Sequence, residues 1–150
     1  MPVVEESVYI ALPPQAVFDY LIVPSHAPVW DSSIVKAEQV GTDAIGLGMQ
    51  ATGTSKIMGR HFDWTTEMVE FDAPRRYAQK SVGGTLDFTI SNTLAAEGAG
   101  TRLTYRIDAA SGLGGVFGKL ADPFVERAQA RTVRANLETL ADLLAEHPDL

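Results

Sequence analysis

Residues 85–108 read TLDFTISNTLAAEGAGTRLTYRID, and their pattern is the strongest indication of the fold in this sequence. Apolar and polar residues alternate in both of its halves, which is typical of β-strands that bury one face. The sequence EGAG between the halves is typical of a tight turn. The stretch therefore predicts an antiparallel hairpin with one apolar face. That face carries Leu86, Phe88, Ile90 and Leu94 from the first strand and Leu103, Tyr105 and Ile107 from the second.

Strand patterns continue upstream of this hairpin. Short segments rich in Gly, Asp and Pro separate them, and the pair Gly83-Gly84 is one such predicted turn. Six consecutive strands are predicted at 33–41, 49–58, 60–71, 77–82, 86–95 and 101–109. Because their connections are short, they should form an antiparallel meander. A first strand is expected at 3–11.

The strand at 60–71 is the least regular of the six. Phe62, Trp64, Thr66 and Met68 share one face. Phe71, however, falls on the same parity as the polar His61 and Glu67, and so does Val69. A β-bulge or a sharp bend near Met68 would reconcile the two patterns. The bulge decides whether His61 and Glu67 can reach the interior.

Helical signals occupy two places. Pro13-Pro14 ends the first strand and opens a helix to about residue 22, and the following prolines leave room only for a short second helix or turn that carries Trp30. Near the end, Asp122-Pro123 predicts the start of a long helix over 123–146. Between the sheet and this helix, residues 112–122 contain several glycines and Phe117, and we interpret them as a cavity wall or a movable lid.

Together these elements predict one α+β domain over residues 1–150. We expect a helix-grip fold, in which a curved antiparallel sheet of about seven strands wraps a long C-terminal helix, with two short helices after the first strand. The composition, 45% hydrophobic and 21% charged, is ordinary for a globular protein. We also expect a ligand-sized apolar cavity between sheet and helix.

The charge and the cysteine content of the chain exclude several classes of function. A net charge of -7 argues against nucleic-acid binding, which needs clustered Lys and Arg. The absence of cysteine excludes thiolate nucleophiles, thiolate zinc sites and disulfides. The acidic start lacks the basic and apolar regions of a secretory signal, so we expect a cytoplasmic protein without stable membrane insertion. The sequence is compatible with a homodimer.

Four segments resemble a known family, the polyketide cyclase/dehydrase-like branch of the START/Bet v 1 superfamily, often called SRPBCC proteins. They are IALPPQAVFDYL at 10–21, PVW at 28–30, FDAPRR at 71–76 and GAGTRLTY at 98–105. The resemblance covers nearly the whole chain and concerns the fold, since none of the segments is a catalytic signature. It implies a cavity in which members bind lipids, sterols, polyketides or other hydrophobic molecules. Some members are cyclases or dehydratases, and others are carriers, co-chaperones or antitoxin-like proteins.

Few residues are candidates for acid–base chemistry. They are His26, His61, Tyr77 and Tyr105. For His26 an exposed loop position is the favoured interpretation, and for His61 a surface position, unless the bulge turns it inward. An iron site made of both histidines and Asp31 is not required by their spacing. We therefore expect no metal and no organic cofactor.

The candidate ligand-binding residues are amphipathic or aromatic side chains predicted to face inward. They are Trp30, Met49, Phe62, Trp64, Met68, Tyr77, Phe88, Ile90, Asn92, Tyr105 and Phe117. The small residues Ala51 and Gly53 are expected to leave space beside them, although the same side chains could instead fill a solid core. Binding of a small hydrophobic ligand by a carrier or sensor is the first functional hypothesis. A polyketide cyclase or dehydratase acting in the same cavity is the second, and a protein-interaction module using the outer sheet is the third.

Overall fold

Seven strands form one antiparallel sheet in the computed structural model, which describes residues 3–57, 59–84, 87–109 and 123–149. They are β1 (Val3–Ile10), β2 (Ile34–Val40), β3 (Gln50–Ile57), β4 (Arg60–Asp72), β5 (Arg76–Gly84), β6 (Thr89–Glu97) and β7 (Gly100–Asp108). Their order across the sheet is β1-β7-β6-β5-β4-β3-β2. The meander of β2 to β7 is therefore completed by β1, which pairs with the last strand. The sheet curls into a half-barrel with β1 and β2 at its open edges.

Helices follow β1 and end the described chain. They are α1 (Pro14–Leu21), a single 3-10 turn (Pro24–His26), α2 (Ala27–Trp30) and α3 (Pro123–Glu146). Pro14 occupies the first position of α1. The backbone N–H at that position has no partner within the helix, so a proline, which lacks this group, costs nothing there. The apolar face of α1 places Val17 and Phe18 in the core.

The C-terminal helix α3 closes the concave side by packing on β1 and touching α2. Leu137, Leu140 and Leu144 form its buried stripe and are 0% to 1% exposed. Arg134 Nε donates to Glu6 Oε1 of β1 at 2.8 Å. The helix-grip architecture predicted from the sequence is confirmed.

The bulge expected near Met68 is present. Met68 pairs with Gln79 while Glu70 pairs with Ala78, so Val69 is an extra residue in β4. The shift turns Phe71 inward, where its ring meets the edge of Phe18 at a centroid distance of 5.5 Å. Val69 itself stays 40% exposed. His61 lies before the bulge and is exposed.

One predicted turn was wrong. Gly83 and Gly84 belong to β5, where they pair with Thr65 and Trp64 of β4. A second irregularity lies just before them, because Thr66 pairs with Ser81 and Val82 is left over. Glycine is as typical of an irregular strand as of a turn, so composition alone did not separate the two.

Candidate functional site

One row of side chains crosses the middle of the concave face. In the strand register, Tyr77 of β5 lies beside Asn92 of β6, and Asn92 lies beside Tyr105 of β7. All three are buried, with 3% to 7% of each residue exposed. We call these residues the Tyr–Asn–Tyr row. It places three side chains that can form hydrogen bonds next to one another in the main core.

Polar atoms of this row lack hydrogen-bond partners among the residues that the structure describes. Asn92 Oδ1 is buried without a hydrogen bond, and so is Thr66 Oγ1 on β4. The hydroxyls of Tyr77 and Tyr105 also form no hydrogen bond with any residue that the structure describes. Because nearly all buried polar atoms in proteins are hydrogen-bonded, unpaired ones mark a place where water or a ligand is accommodated.

Burial dominates the ionisation of the two tyrosines. It raises the pKa of Tyr77 well above the ordinary value of 10.0. It raises the pKa of Tyr105 as well, and the negative charge of Asp31 adds to that increase. Both hydroxyls are therefore neutral and available as donors throughout the physiological range.

Apolar side chains surround the row. The ring of Trp30 meets Tyr105 edge-on at a centroid distance of 6.5 Å, and the ring of Phe18 meets Tyr77 at 5.5 Å. Met49 and Met68 are buried in the same core. Flexible methionine side chains adapt to irregular apolar shapes, so they suit the wall of a binding site.

A buried carboxyl group lies at the end of α2, and sequence reasoning did not assign it to the site. Asp31 is 7% exposed, and its Oδ1 accepts hydrogen bonds from Ser33 N (2.9 Å), Ser33 Oγ (2.7 Å) and Asn136 Nδ2 (3.0 Å). Burial raises the pKa of Asp31, and the bonds from Ser33 partly offset that increase. Asn136 Oδ1 in turn accepts from Ser32 N and Ser32 Oγ.

We call Asp31, Ser32, Ser33 and Asn136 the α2–α3 polar cluster, because it joins these two helices. One sequence signal pointed to it, namely a polar Asn136 directly beside the apolar stripe of α3. Its partner could not be inferred, since Asp31 and Asn136 lie 105 positions apart.

A second apolar cluster contains other predicted site residues. Phe88 is buried, and partly buried Phe62, Trp64, Ile90 and Ile57 pack against it. Trp64 Nε1 donates to Ser55 Oγ at 2.9 Å. The space expected at Gly53 is filled, because a Cβ there would overlap the Trp64 ring. The expectation of free volume beside Gly53 was therefore wrong.

The candidate histidines lie outside the Tyr–Asn–Tyr row. His26 is half-buried, stacks on the Tyr20 ring at a centroid distance of 4.2 Å and has Nδ1 2.7 Å from the carbonyl oxygen of Tyr20. It is thus fixed against α1 and is not the exposed loop histidine that we expected. His61 is exposed on the outer parity, as predicted. Glu67 is half-buried on that same parity, with Gln50 Nε2 at 3.4 Å from its Oε1.

Phe117 and the proposed lid at 112–122 lie outside the described residues. Over the ranges that are described, His, Asp and Glu side chains form no group of three that could hold a metal ion. Within those same ranges, no helix combines the length and the apolar character needed to cross a membrane.

Comparison with known proteins agrees with this architecture. The chain matches, over residues 1–145, the sequence profile of the family described as "Polyketide cyclase / dehydrase and lipid transport". The chain belongs to this family, as its four sequence segments suggested. No curated protein sequence matches it.

Solved structures share the fold at low sequence identity. The protein TTHA0849 from Thermus thermophilus has a TM-score of 0.80 and 22% identity, covering 97% of this chain and 99% of that one. Protein Ms6760 from Mycobacterium smegmatis has a TM-score of 0.69 and 18% identity, covering 97% and 92%. Major latex-like protein 151 from Panax ginseng has a TM-score of 0.67 and 15% identity, covering 93% and 96%. Such identities establish a common fold and leave the ligand to the site itself.

Proposed function

We propose that this protein binds a small hydrophobic molecule against the concave face of its sheet, as a carrier or sensor. The observation that supports the proposal is the Tyr–Asn–Tyr row, in which Asn92 Oδ1 is buried without a hydrogen-bond partner beside a core of aromatic and thioether side chains. The family description, which includes lipid transport, points in the same direction.

The energetics favour a ligand with an apolar body and a few polar groups. Burying a polar atom without a partner costs about 1–3 kcal/mol. A ligand that hydrogen-bonds Asn92 Oδ1 and the tyrosine hydroxyls recovers that cost, and its apolar part gains from contact with Trp30 and Met68. Ligand sites of this kind orient their ligand through a few polar groups in an apolar wall.

Native mass spectrometry of protein purified from its own host tests this proposal. We expect a species heavier than the 16.1 kDa chain, which loses the extra mass on denaturation. The variant Tyr105→Phe should retain less of the ligand. Tyr9→Phe is the matched control, because Tyr9 lies on the outer face and is 42% exposed. A wild-type protein that carries no ligand, and that binds no lipid or aromatic probe when titrated, would contradict the proposal.

A second candidate is an enzyme of the cyclase or dehydratase type. The Asp31 carboxyl, with its pKa raised by burial, acts electrostatically on the buried hydroxyl of Tyr105. Buried titratable groups with shifted pKa values are typical of acid–base catalysts. Incubation of the protein with the ligand released in the first experiment distinguishes the two functions. A carrier returns it unchanged, whereas an enzyme converts it and loses that activity in both Tyr105→Phe and Asp31→Asn.

A further inference from the structure

A cleft of about 490 Å³ lies on the outer face of the sheet. Its lining consists of three acidic residues, two arginines, four hydroxyl side chains and one alanine. None of these ten residues belongs to the Tyr–Asn–Tyr row or to the predicted ligand-binding set. The volume falls within the range of small-molecule sites, roughly 300–1,000 Å³.

The strand register explains how a cleft forms on an outer face. One row of paired residues runs from Glu5 through Arg106, Ser91 and Ala78 to Glu70, crossing β1, β7, β6, β5 and β4. Long charged side chains occupy its ends, and small ones its centre. Ala78 is 1% exposed and Ser91 is 7% exposed, although both point away from the core. These two residues form the floor of the cleft, and the longer side chains around them form its walls.

Ion pairs fix the charged side chains that form the walls of the cleft. Part of the hydrogen-bonding capacity of these side chains remains unused. Arg76 is fixed by Glu70 Oε2 and Thr93 Oγ1, both at 2.8 Å. Arg106 lies 3.7 Å from Glu5 and 3.9 Å from Asp108, which satisfies an ion pair but not a hydrogen bond.

The unpaired donors and acceptors converge on the floor. Within the described part of the chain, Arg106 forms no side-chain hydrogen bond, and neither do the hydroxyls of Ser91, Thr89 and Thr104. A guanidinium and three hydroxyls therefore face a shared space with their bonding capacity unused.

The lining charges restrict the ligand. All three carboxylates and both guanidinium groups are paired with one another, so an ionic ligand would compete with these ion pairs, and a lining with one alanine offers little to an apolar molecule. A neutral molecule with several hydroxyls meets none of these penalties. Each of its hydroxyls can donate to a carboxylate and accept from a guanidinium or a protein hydroxyl, which leaves the ion pairs intact.

We propose that this outer cleft, with Ser91 and Ala78 as its floor and Arg76 and Arg106 beside it, is a second binding site that takes a neutral polyhydroxylated molecule of the sugar or polyol class. The site is independent of the interior one, since the two lie on opposite faces of the same strands.

Amide chemical shifts measured by NMR on the full ¹⁵N-labelled chain test the site. The probes are maltose, trehalose and myo-inositol, with glucuronate and putrescine as the charged comparisons. We expect saturable shifts at residues 89–93 and 104–108 with at least one neutral probe, and weaker shifts with both charged ones. Absence of saturable shifts with all three neutral probes would overturn the proposal, as would tighter binding of a charged probe.

Matched variants assign the shifts to the cleft. Ser91→Val fills the floor and removes its hydroxyl, so binding should weaken at least tenfold. Ser7→Val is the control, since Ser7 is exposed on the same face and does not line the cleft. If Ser91→Val fails to fold, Arg106→Gln replaces it, with Arg102→Gln as control on the same strand. Equal binding by variant and control would contradict the assignment.

Discussion

At the scale of single residues, the two buried asparagines of the described chain differ in their hydrogen bonding. Asn92 is 3% exposed and its Oδ1 has no partner, whereas Asn136 is 7% exposed and its Oδ1 and Nδ2 are both hydrogen-bonded. Structural asparagines are expected to be paired. The contrast supports the proposal that Asn92 serves binding, whereas the hydrogen bonds of Asn136 stabilise the fold.

Replacing each asparagine by leucine tests this distinction. Asn92→Leu removes an unpaired polar atom, so the free energy of unfolding should stay within about 1 kcal/mol of wild type or rise. Asn136→Leu leaves Asp31 and Ser32 without partners and should lower it by about 2 kcal/mol. Urea unfolding followed by circular dichroism measures both. A larger loss in Asn92→Leu than in Asn136→Leu would contradict this distinction, because Asn92 would then contribute more to stability than Asn136 does.

The buried Asp31 carboxyl should make stability depend on pH. Because its pKa is raised in the folded state, the folded protein holds this proton more tightly than the unfolded chain. Its contribution to stability is therefore full below the ordinary value of 3.8 and is lost as pH rises through the raised pKa. Asp31→Asn keeps an oxygen for Ser33 and Asn136 but removes the charge.

Urea unfolding at a series of pH values compares the two proteins. The difference in unfolding free energy should move in favour of Asp31→Asn as pH increases above 3.8. A difference that is constant with pH, or that moves in favour of the wild type, would mean that the hydrogen bonds outweigh burial.

At the scale of secondary-structure elements, the joint between β3 and β4 depends on a missing side chain. Gly53 lies opposite Trp64, and the indole ring and the carbonyl oxygen of Lys36 in β2 both approach the position where a Cβ would be. Ring and backbone can approach closely there only because the residue is glycine. The consequence is a fixed Trp64 ring with its Nε1 on Ser55.

Gly53→Ala should displace that ring and the Lys36 carbonyl group, because the added methyl group would overlap both. We expect a loss of about 1–3 kcal/mol in unfolding free energy, as for other overpacked sites, and a change in tryptophan fluorescence. Gly46→Ala is the matched control, because no atom lies within 4 Å of the added methyl group. If both variants behave alike, the close contact between Gly53 and Trp64 does not contribute to the joint.

Much of this element-level organisation was predictable from the sequence, and the reasons are local. The alternation of apolar and polar residues assigned Leu94 and Leu103 to one buried face. The apolar Phe71, on a parity that is otherwise polar, indicated the position of the bulge in β4. The α2–α3 polar cluster was not predictable, since its partners meet only in the folded chain. Nor could the glycine at position 53 reveal whether the gap it leaves is empty or filled by Trp64.

At the scale of the whole molecule, α3 covers the concave side of the half-barrel by packing on β1. Leu140 is 0% exposed at the centre of its buried stripe, whereas Leu143 is only partly buried. Leu140→Ala should lower the unfolding free energy by about 3 kcal/mol, and Leu143→Ala by less than half of that. Thermal unfolding followed by circular dichroism and by tryptophan fluorescence should give one shared transition in each. Separate transitions would show that the helix and the sheet unfold independently.

The pairing of β1 with β7 also bears on how the chain is made. Val3 pairs with Asp108, so the first strand leaves the ribosome long before its partner exists. Contacts between such distant residues form slowly, and an unpaired strand is exposed to aggregation in the meantime. Charged residues such as Glu5 and Glu6 disfavour the pairing of an exposed strand with a strand of another chain. The half-barrel therefore leaves its first strand unpaired until all of the chain between β1 and β7 has been made.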